Sequence, residues 1–226
     1  GTRTVTKNMK TDIIPEPQRY TSGHGTYGIP IESGNTVACS VLAEGAAKAS
    51  AGVLAERLNV PLTMASGEGN ARIRMRIAED LDFDHELRPD QRVEAYRLEV
   101  SQNGVEMAAL TSEGLLRAAA TLLQMMRREK EQVSVPYTVI RDWPQFRYRA
   151  AADWLVNVEC NRWAYDWTDG TEAFLSRIKR QLDFCFKHKI NLVWCDGFGW
   201  EVDRFQGYVS LMSACTAYAR RLGIKL

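Results

Sequence analysis

The chain lacks a long apolar run, and it lacks an excess of charge of either sign. Its 226 residues include 29 basic and 28 acidic side chains, which leave a formal net charge of +1. Proteins that bind nucleic acid or anionic membranes usually carry a basic excess on one surface, so we predict no nucleic-acid partner. No apolar stretch reaches the roughly 18 residues that a membrane-spanning helix needs, and we predict no membrane span.

Cysteine and histidine are also scarce. The five cysteines are an odd number at irregular spacing, which argues against a disulfide framework or a zinc site, and we interpret most of them as buried thiols. The only His-Glu pair, His85-Glu86, is followed by Pro89 and not by a second histidine one helical turn away, so the zinc-protease pattern is missing. We therefore predict neither a metal nor a cofactor.

Tryptophan is absent from the first 142 residues, and all six tryptophans lie between Trp143 and Trp200. The composition changes at residues 141–154, which read RDWPQFRYRAAADW. Pro144 lacks an amide hydrogen and biases the preceding residue toward an extended conformation, so a helix cannot continue through this stretch. A chain of this length can hold two small domains, and we predict a boundary between residues 1–141 and 142–226.

Residues 1–141 are predicted to form an α+β domain. Helical spacing of alanine and leucine predicts a helix from Asn35 to Leu58. Alternating arginine and apolar residues predict a strand from Ala71 to Ala78 with its arginines toward solvent. The runs Glu94 to Ser101 and Val105 to Leu110 flank an Asn-Gly turn signal and predict a hairpin.

A second helix is predicted in the same domain, starting at Ser112. Ser112 is expected to cap it, and Glu113 favours the positive end of the helix. An apolar stripe continues to Met126, and the charged run from Arg127 to Glu131 is expected to be the solvated tail of this helix.

Residues 142–226 alternate between strand and helix patterns. The predicted order is a strand at Arg147 to Trp154, a helix at Thr171 to His188, a strand at Ile190 to Trp194, a helix at Gly207 to Leu222 and a strand from Ile224. This alternation predicts parallel strands with right-handed crossovers. A closed barrel has eight such units, so we expect this chain to be a fragment of a longer protein.

The candidate ligand-binding residues follow the predicted strands, because active sites of parallel barrels lie at the carboxyl ends of the strands. Asp153 follows the first strand, Asp196 and Trp200 follow the second, and alternation places Arg149 on the strand face of Asp153. Carboxylates accept hydrogen bonds from sugar hydroxyls, and an indole packs on the apolar face of a pyranose. The pattern favours a carbohydrate ligand, and most of the five tryptophans from Trp154 to Trp200 are expected to anchor the core or loops, with Trp200 as the preferred exception.

The boundary stretch resembles glycoside hydrolase family 20, the β-N-acetylhexosaminidases. That family carries a segment "I-x-D-x-P-R-F-x-Y-R-G" between a small α+β domain and its catalytic barrel. The matching residues are Ile140, Asp142, Pro144, Phe146, Tyr148 and Arg149, while Gln145 and Ala150 differ. Near the end, residues 218–226 are similar to the family's "Y-A-R-x-R-G-I-x-V".

The resemblance implies a zincin-like N-terminal domain without the protease metal, then the first part of a TIM-type (β/α)8 barrel, truncated at about the third strand. It implies hydrolysis of terminal amino-sugar glycosides by a substrate-assisted, retaining mechanism. The family's catalytic aspartate and glutamate follow its fourth barrel strand, so no catalytic residue is assigned here and the fragment is expected to be inactive alone. The family's sugar-binding arginine corresponds to Arg149, and the parent is expected to be secreted or periplasmic, with its signal peptide absent from this sequence.

Two departures from the family pattern keep an alternative open. Asp153 follows Arg149 by four residues, whereas the family spacing is five. The family's "N-x-x-H-W-H" is represented by Asn191 and Trp194-Cys195-Asp196, without histidine. The alternative is a non-catalytic carbohydrate-binding or structural module with a degenerate site. An incomplete barrel also leaves a bare sheet edge, and we predict self-association through it.

Overall fold

A computed structural model describes residues 12–32, 35–65, 71–152, 170–194 and 207–226. The chain divides into two compact units, Gly1–Gln145 and Phe146–Leu226. Both units combine strands with packed helices. The predicted mixture of α and β structure is therefore confirmed.

The first unit contains one mixed sheet, which has eight strands in the described residues. The strands are β1 (Arg19–Pro30), β2 (Asn35–Cys39), β3 (Leu62–Met64), β4 (Ile73–Ile77), β5 (Tyr96–Ser101), β6 (Gly104–Ala109), β7 (Arg127–Arg128) and β8 (Gln132–Asp142). Their order is β1-β8-β5-β6-β4-β2-β3, and β7 pairs with β8 outside this path. The pairs β1–β8, β8–β5 and β5–β6 are antiparallel. The pairs β6–β4, β4–β2 and β2–β3 are parallel.

Two long helices, α1 (Glu44–Leu58) and α3 (Ser112–Met125), cover one face of this sheet, and a short helix, α2 (Pro89–Arg92), lies between them in the chain. Helix α3 packs on β4, β5 and β6, and α1 packs on α3, β2 and β3. Strand β5 shows the resulting alternation, because Tyr96, Leu98 and Val100 are buried while the residues between them are partly exposed. A sheet with one covered face and one wet face produces this pattern.

The predicted hairpin and the predicted strand of alternating arginines are confirmed. Ser101 pairs with Gly104, so Gln102 and Asn103 form a two-residue turn between β5 and β6. Gly104 has a φ of +116°, and a Cβ there would lie 2.8 Å from the carbonyl oxygen of Arg72. Glycine is therefore required by both the backbone conformation and the close approach of the neighbouring strand.

The predicted helix over Asn35–Leu58 is wrong in its first part. Residues Asn35–Cys39 form β2, which pairs in parallel with both β3 and β4. A turn of 3-10 helix at Val41–Ala43 follows, and α1 begins only at Glu44. A short apolar run fits a buried strand as well as a helix, and the pairing with two distant segments decides for the strand.

The second helix begins at Ser112 as predicted, but its predicted cap and its predicted tail are wrong. Thr111 and not Ser112 caps α3, because the Thr111 hydroxyl oxygen accepts a hydrogen bond from the Gly114 amide at 3.2 Å. At the other end, Met126 is already extended, and Arg127–Arg128 form β7 instead of a helical tail. This short strand gains backbone partners from Ser134 and Val133 of β8.

The second unit alternates strands with helices in the predicted order. Its described elements are β9 (Ala150–Ala152), α4 (Thr171–Lys187), β10 (Leu192–Trp194) and α5 (Tyr208–Arg221), followed by a parallel bridge from Leu192 to Lys225. Strands β9 and β10 are parallel, with Leu192 opposite Ala150 and Trp194 opposite Ala152. Strand β9 begins at Ala150 and not at the predicted Arg147, and the predicted end at Trp154 lies outside the described residues. Buried side chains of α4 and α5 form the core, among them Phe174, Ile178, Leu182, Phe186, Leu211, Cys215 and Ala219.

Candidate functional site

The two parallel strands of the second unit bring two chain segments to one edge. Strand β9 ends at Ala152 and β10 ends at Trp194, and the two residues are opposite each other in the pairing register. The residues that follow, including the candidates Asp153, Asp196 and Trp200, lie outside the described residues. Since both strands run in the same direction, Ala152 and Trp194 both lie at the carboxyl end of this small sheet.

Trp194 is a candidate that the sequence did not single out. It is 67% exposed at the carboxyl end of β10, whereas the preceding Val193 is 9% exposed. Neighbouring residues on a strand point to opposite faces, so Trp194 lies on the face opposite Val193. An exposed indole at this edge offers a flat apolar surface to a ligand. Its exposure depends on which strand face is buried, which the local sequence does not reveal.

Arg149 lies at the amino end of the small sheet, directly before β9. Its Nε donates a hydrogen bond to the carbonyl oxygen of Lys189 at 2.7 Å, and its Nη1 donates to the carbonyl oxygen of Phe146 at 2.8 Å. These bonds hold the guanidinium against the backbone that leads into both strands. The role in sugar binding that the resemblance implies for Arg149 stays a prediction.

Asn191 completes this arrangement from the β10 side. Its Oδ1 accepts a hydrogen bond from the Arg149 amide at 2.8 Å, and its Nδ2 donates to the carbonyl oxygen of Arg147 at 2.8 Å. The side chain is 9% exposed, so the amide group serves two backbone partners in a protected place. The only polar residue in the predicted strand Ile190 to Trp194 thus has a structural role.

A separate polar network lies at the end of β8, where the family-like boundary stretch begins. The Tyr96 hydroxyl donates to Oδ2 of Asp142 at 3.0 Å and also contacts the Thr121 hydroxyl at 2.5 Å. Oδ1 of Asp142 accepts from the Gln18 amide at 3.1 Å. Burial, and then the nearby Asp142 charge, raise the pKa of Tyr96 well above its usual value. The network joins β5, α3 and β8, and we interpret it as structural.

Trp143, the first tryptophan of the chain, is anchored in the first unit. It is 7% exposed and packs with Leu87, Ala95 and Phe83. Its ring contacts His85 at a centroid distance of 4.7 Å, and the Arg19 guanidinium lies 5.7 Å from its centroid. Trp143 therefore has a packing role in the first unit.

Reactive thiols and metal ligands do not cluster in the described ranges. Burial raises the pKa of the Cys185 and Cys215 thiols to about 11, so both stay protonated near neutral pH and are poor nucleophiles. Cys39, Cys185 and Cys215 are free thiols, and Cys160 and Cys195 lie outside the described residues. Across the described segments, no group of three or more His, Cys, Asp or Glu side chains is arranged to hold a metal ion.

Among the helices of the described residues, none has both the length and the apolar character that crossing a bilayer requires.

Comparison with known proteins identifies relatives for most of the chain. Residues 10–143 match the family described as glycosyl hydrolase family 20, domain 2. A β-hexosaminidase of Vibrio furnissii is 30% identical over 112 residues, which cover 48% of this chain and 16% of that protein.

Solved structures share the fold over a longer range. A family 20 exo-β-N-acetylglucosaminidase of Vibrio harveyi aligns over 94% of this chain and 35% of its own, with a TM-score of 0.68 and 17% identity. An N-acetyl-β-hexosaminidase of Streptomyces plicatus aligns over 94% of this chain and 44% of its own, with a TM-score of 0.66 and 19% identity. The chain therefore spans less than half the length of each of these relatives.

Proposed function

Since the chain belongs to glycosyl hydrolase family 20, we propose that it is part of a glycoside hydrolase that removes terminal β-linked N-acetylhexosamines. The family match over residues 10–143 carries this proposal. The names of the Vibrio and Streptomyces relatives support the substrate class. The first unit would then be the family's zincin-like domain, and residues 142–226 the opening of its catalytic (β/α)8 barrel.

The barrel assignment is supported by the topology of the second unit. Parallel strands joined by helices, in the order strand, helix, strand, helix, are the repeating element of a (β/α)8 barrel. A further parallel bridge between Leu192 and Lys225 begins a third strand position. On this proposal the chain contributes the first part of the barrel, and the remaining strands come from the rest of the parent protein.

We assign substrate contacts to the carboxyl edge of β9 and β10. Asp153 and Asp196 would accept hydrogen bonds from sugar hydroxyls, and Trp200 would pack on the pyranose ring. Trp194 joins this set because its indole is exposed at the same edge. Arg149 stays a further predicted contact, implied by the resemblance, although its guanidinium is hydrogen bonded at the amino end of the small sheet.

The mechanism we propose is the substrate-assisted one of the family, in which the 2-acetamido group attacks the anomeric carbon of its own sugar. The two acidic residues that this chemistry needs would be adjacent and would follow the fourth barrel strand. The 226-residue chain is then expected to lack hydrolase activity, whereas the parent protein has it. We also propose that the parent is secreted or periplasmic, which cell fractionation with an antibody against this chain would test.

An activity comparison tests the proposal. The parent protein and the 226-residue chain are assayed on a chromogenic N-acetylglucosaminide and on the matching glucoside. We expect turnover of the N-acetylglucosaminide by the parent alone, and a higher KM after Asp196→Asn or Trp194→Ala. Glu172→Gln, at an exposed position in the first turn of α4, is the control and should change neither kcat nor KM.

The same assay distinguishes a glycoside hydrolase from the alternative, a non-catalytic carbohydrate-binding or structural module. A parent that binds the sugar without turnover of either substrate would be the non-catalytic module with a degenerate site. Turnover by the 226-residue chain itself, lost on Asp196→Asn, would show that the catalytic residues have been placed wrongly.

Self-association through the small sheet is a further part of the proposal. Strand β9 has β10 as its only partner among the described residues, and unpaired strand edges recruit other chains. We expect the isolated 226-residue chain to form dimers or larger species in light scattering at increasing concentration. A strictly monomeric chain with strong hydrogen-exchange protection over residues 148–226 would contradict this.

A further inference from the structure

The face of the large sheet that α1 and α3 leave uncovered carries a row of arginines. The pairing registers place one row of side chains on neighbouring strands, in the order Arg76, Ala108, Arg97, Arg141 and Arg19. Like charges directly opposite each other destabilise an antiparallel pair. The row therefore concentrates positive charge at a cost to the sheet.

Acidic partners compensate only part of this row. Arg19 pairs with Asp84 at 2.9 Å, Arg141 with Asp82 at 3.6 Å and Arg97 with Glu99 at 2.6 Å. All three pairs are substantially exposed, and exposed pairs contribute little to stability because water screens them.

The end of the row at Arg76 is the least compensated. Within the described ranges the Arg76 guanidinium has no hydrogen bond or ion pair. Nε of Arg97 is buried and also has no acceptor there. The buried Nε of Arg97 without an acceptor raises the free energy of the folded state, whereas Arg76 is exposed. These two arginines flank the alanine of the row.

A cavity of about 340 Å³ lies over this alanine. Its polar lining comes from Arg74, Arg76, Arg97, Glu99 and Glu106, and Ala108 contributes an apolar part. Nη2 of Arg74 lies 2.8 Å from Glu106, so the charge of Arg74 is neutralised within the lining. Glu99 does the same for Arg97, which leaves one uncompensated positive charge in the cavity, that of Arg76.

We propose that this cavity binds a small oxyanion, a carboxylate or a sulfate, beside Arg76 and Arg97. A guanidinium presents a planar fork of donors that matches the oxygens of both groups. Ala108 is the short side chain of the row and leaves space between its neighbours. Neighbouring strands lie about 4.8 Å apart, so Arg76 on β4 and Arg97 on β5 start from strands about 10 Å apart on either side of β6. The long side chains of both arginines can therefore reach one anion above Ala108. The inference concerns the first unit and does not depend on the glycosidase proposal.

The anion has two sources that share this chemistry, an acidic sugar and a free inorganic ion. Titration calorimetry of the 226-residue chain at fixed ionic strength with glucuronate, sodium sulfate and neutral glucose distinguishes them. We expect saturable binding of an anion and none of glucose. Tighter binding of glucuronate assigns the site to a sugar acid, and tighter binding of sulfate assigns it to an inorganic anion.

Two variants locate the binding. Arg76→Gln removes a charge-assisted hydrogen bond and should weaken binding about tenfold, and Ala108→Leu fills the cavity and should abolish it. Arg72→Gln is the matched control, because Arg72 directly precedes β4, contacts Tyr27 and is outside the lining. Circular dichroism verifies that each variant is folded, and Arg76→Gln keeps the test decisive if Ala108→Leu does not fold.

Two results would overturn the inference. The first is the absence of saturable binding by both anions. The second is an equal loss of affinity in Arg72→Gln and Arg76→Gln, which would reveal a diffuse charge effect and no defined site.

Discussion

Nε of Arg149 donates a 2.7 Å hydrogen bond to the carbonyl oxygen of Lys189, and this bond joins the two chain segments that lead into β9 and β10. Lys189 itself has a positive φ of 58° and is 4% exposed. A buried non-glycine residue in the left-handed region is uncommon and is held by its surroundings. The guanidinium of Arg149 is one of the groups that hold it.

Replacement of Arg149 should therefore destabilise the second unit. We expect Arg149→Ala to lower the free energy of unfolding by about 1–2 kcal/mol, because carbonyl acceptors lose a charged donor in a half-buried place. Urea denaturation measures the change. Arg147→Ala is the control, since Arg147 is exposed and its side chain lies over the Tyr148 ring. A pure sugar-binding role predicts instead unchanged stability and a raised KM in the parent.

The buried tyrosine of the first unit predicts a loss of stability at alkaline pH. Burial and the Asp142 charge raise the pKa of Tyr96, so the folded state keeps the phenol neutral where the unfolded chain releases its proton. The neutral Tyr96 phenol therefore contributes to the free energy of unfolding. This contribution is fully present below the pKa of about 10 that tyrosine has in the unfolded chain, and it is lost as the pH rises from there toward the raised pKa of the folded state. Unfolding by urea between pH 8 and 11 should show a steeper decline for the wild type than for Tyr96→Phe.

Tyr96→Phe should also lower stability at neutral pH by about 1–3 kcal/mol, because Asp142 and Thr121 lose a buried partner. Tyr20→Phe, at a half-buried position of β1, should leave both the neutral stability and the alkaline slope unchanged. Equal slopes for the wild type and Tyr96→Phe would refute the assignment of the alkaline effect to Tyr96.

A buried ion pair under α3 allows a third prediction. Nη2 of Arg117 lies 3.1 Å from Oε1 of Glu94, and the two side chains are 2% and 9% exposed. Removal of one partner leaves a buried charge uncompensated, so Arg117→Met should cost about 3–5 kcal/mol. Adding Glu94→Leu should recover much of that loss, because the remaining charge is then removed as well.

The exposed pair of Lys48 and Glu44 in α1 serves as the comparison. Lys48→Met should change stability little, since water already screens this pair. A double variant that is no more stable than Arg117→Met alone would contradict the reading of Glu94 as an uncompensated charge.

Elements with local determinants could be predicted from the sequence, and elements with distant determinants could not. The hairpin of β5 and β6 follows from the turn residues next to Gly104, which are adjacent in the chain. The sequence pattern wrongly predicts helix for β2, because the identity of this strand depends on pairing with Leu62–Met64 and Ile73–Ile77. Strand β7 likewise depends on β8, whose backbone supplies partners that a charged run does not reveal.

The candidate site follows the same division. Repeating strand and helix patterns were sufficient to predict the parallel strands β9 and β10. The ligand residues predicted after these strands lie outside the described residues. The exposure of Trp194 was not predictable, because it depends on which face of β10 the helices cover. The engagement of Arg149 was missed for a related reason, since Lys189 and Asn191 approach it only after folding.

The corrected capping residue of α3 gives the last prediction. Thr111 is extended, with φ −142° and ψ 167°, and its hydroxyl accepts from the Gly114 amide while donating to the carbonyl oxygen of Val93. Loss of an N-cap side chain costs about 1–2 kcal/mol, so Thr111→Ala should lower the unfolding free energy by that amount. It should also speed hydrogen exchange of the Gly114 amide.

Ser112 is the matched comparison, because it is the adjacent hydroxyl residue and already lies in the first turn of the helix. An exposed substitution away from a cap usually changes stability by about 0.5 kcal/mol or less, and Ser112→Ala should fall in this range. If Ser112 were the capping residue, as the sequence pattern predicts, the order of the two variants would be reversed. Urea denaturation of the two single variants therefore decides between the two caps, because one hydroxyl is removed in each case and only its position relative to the Gly114 amide differs.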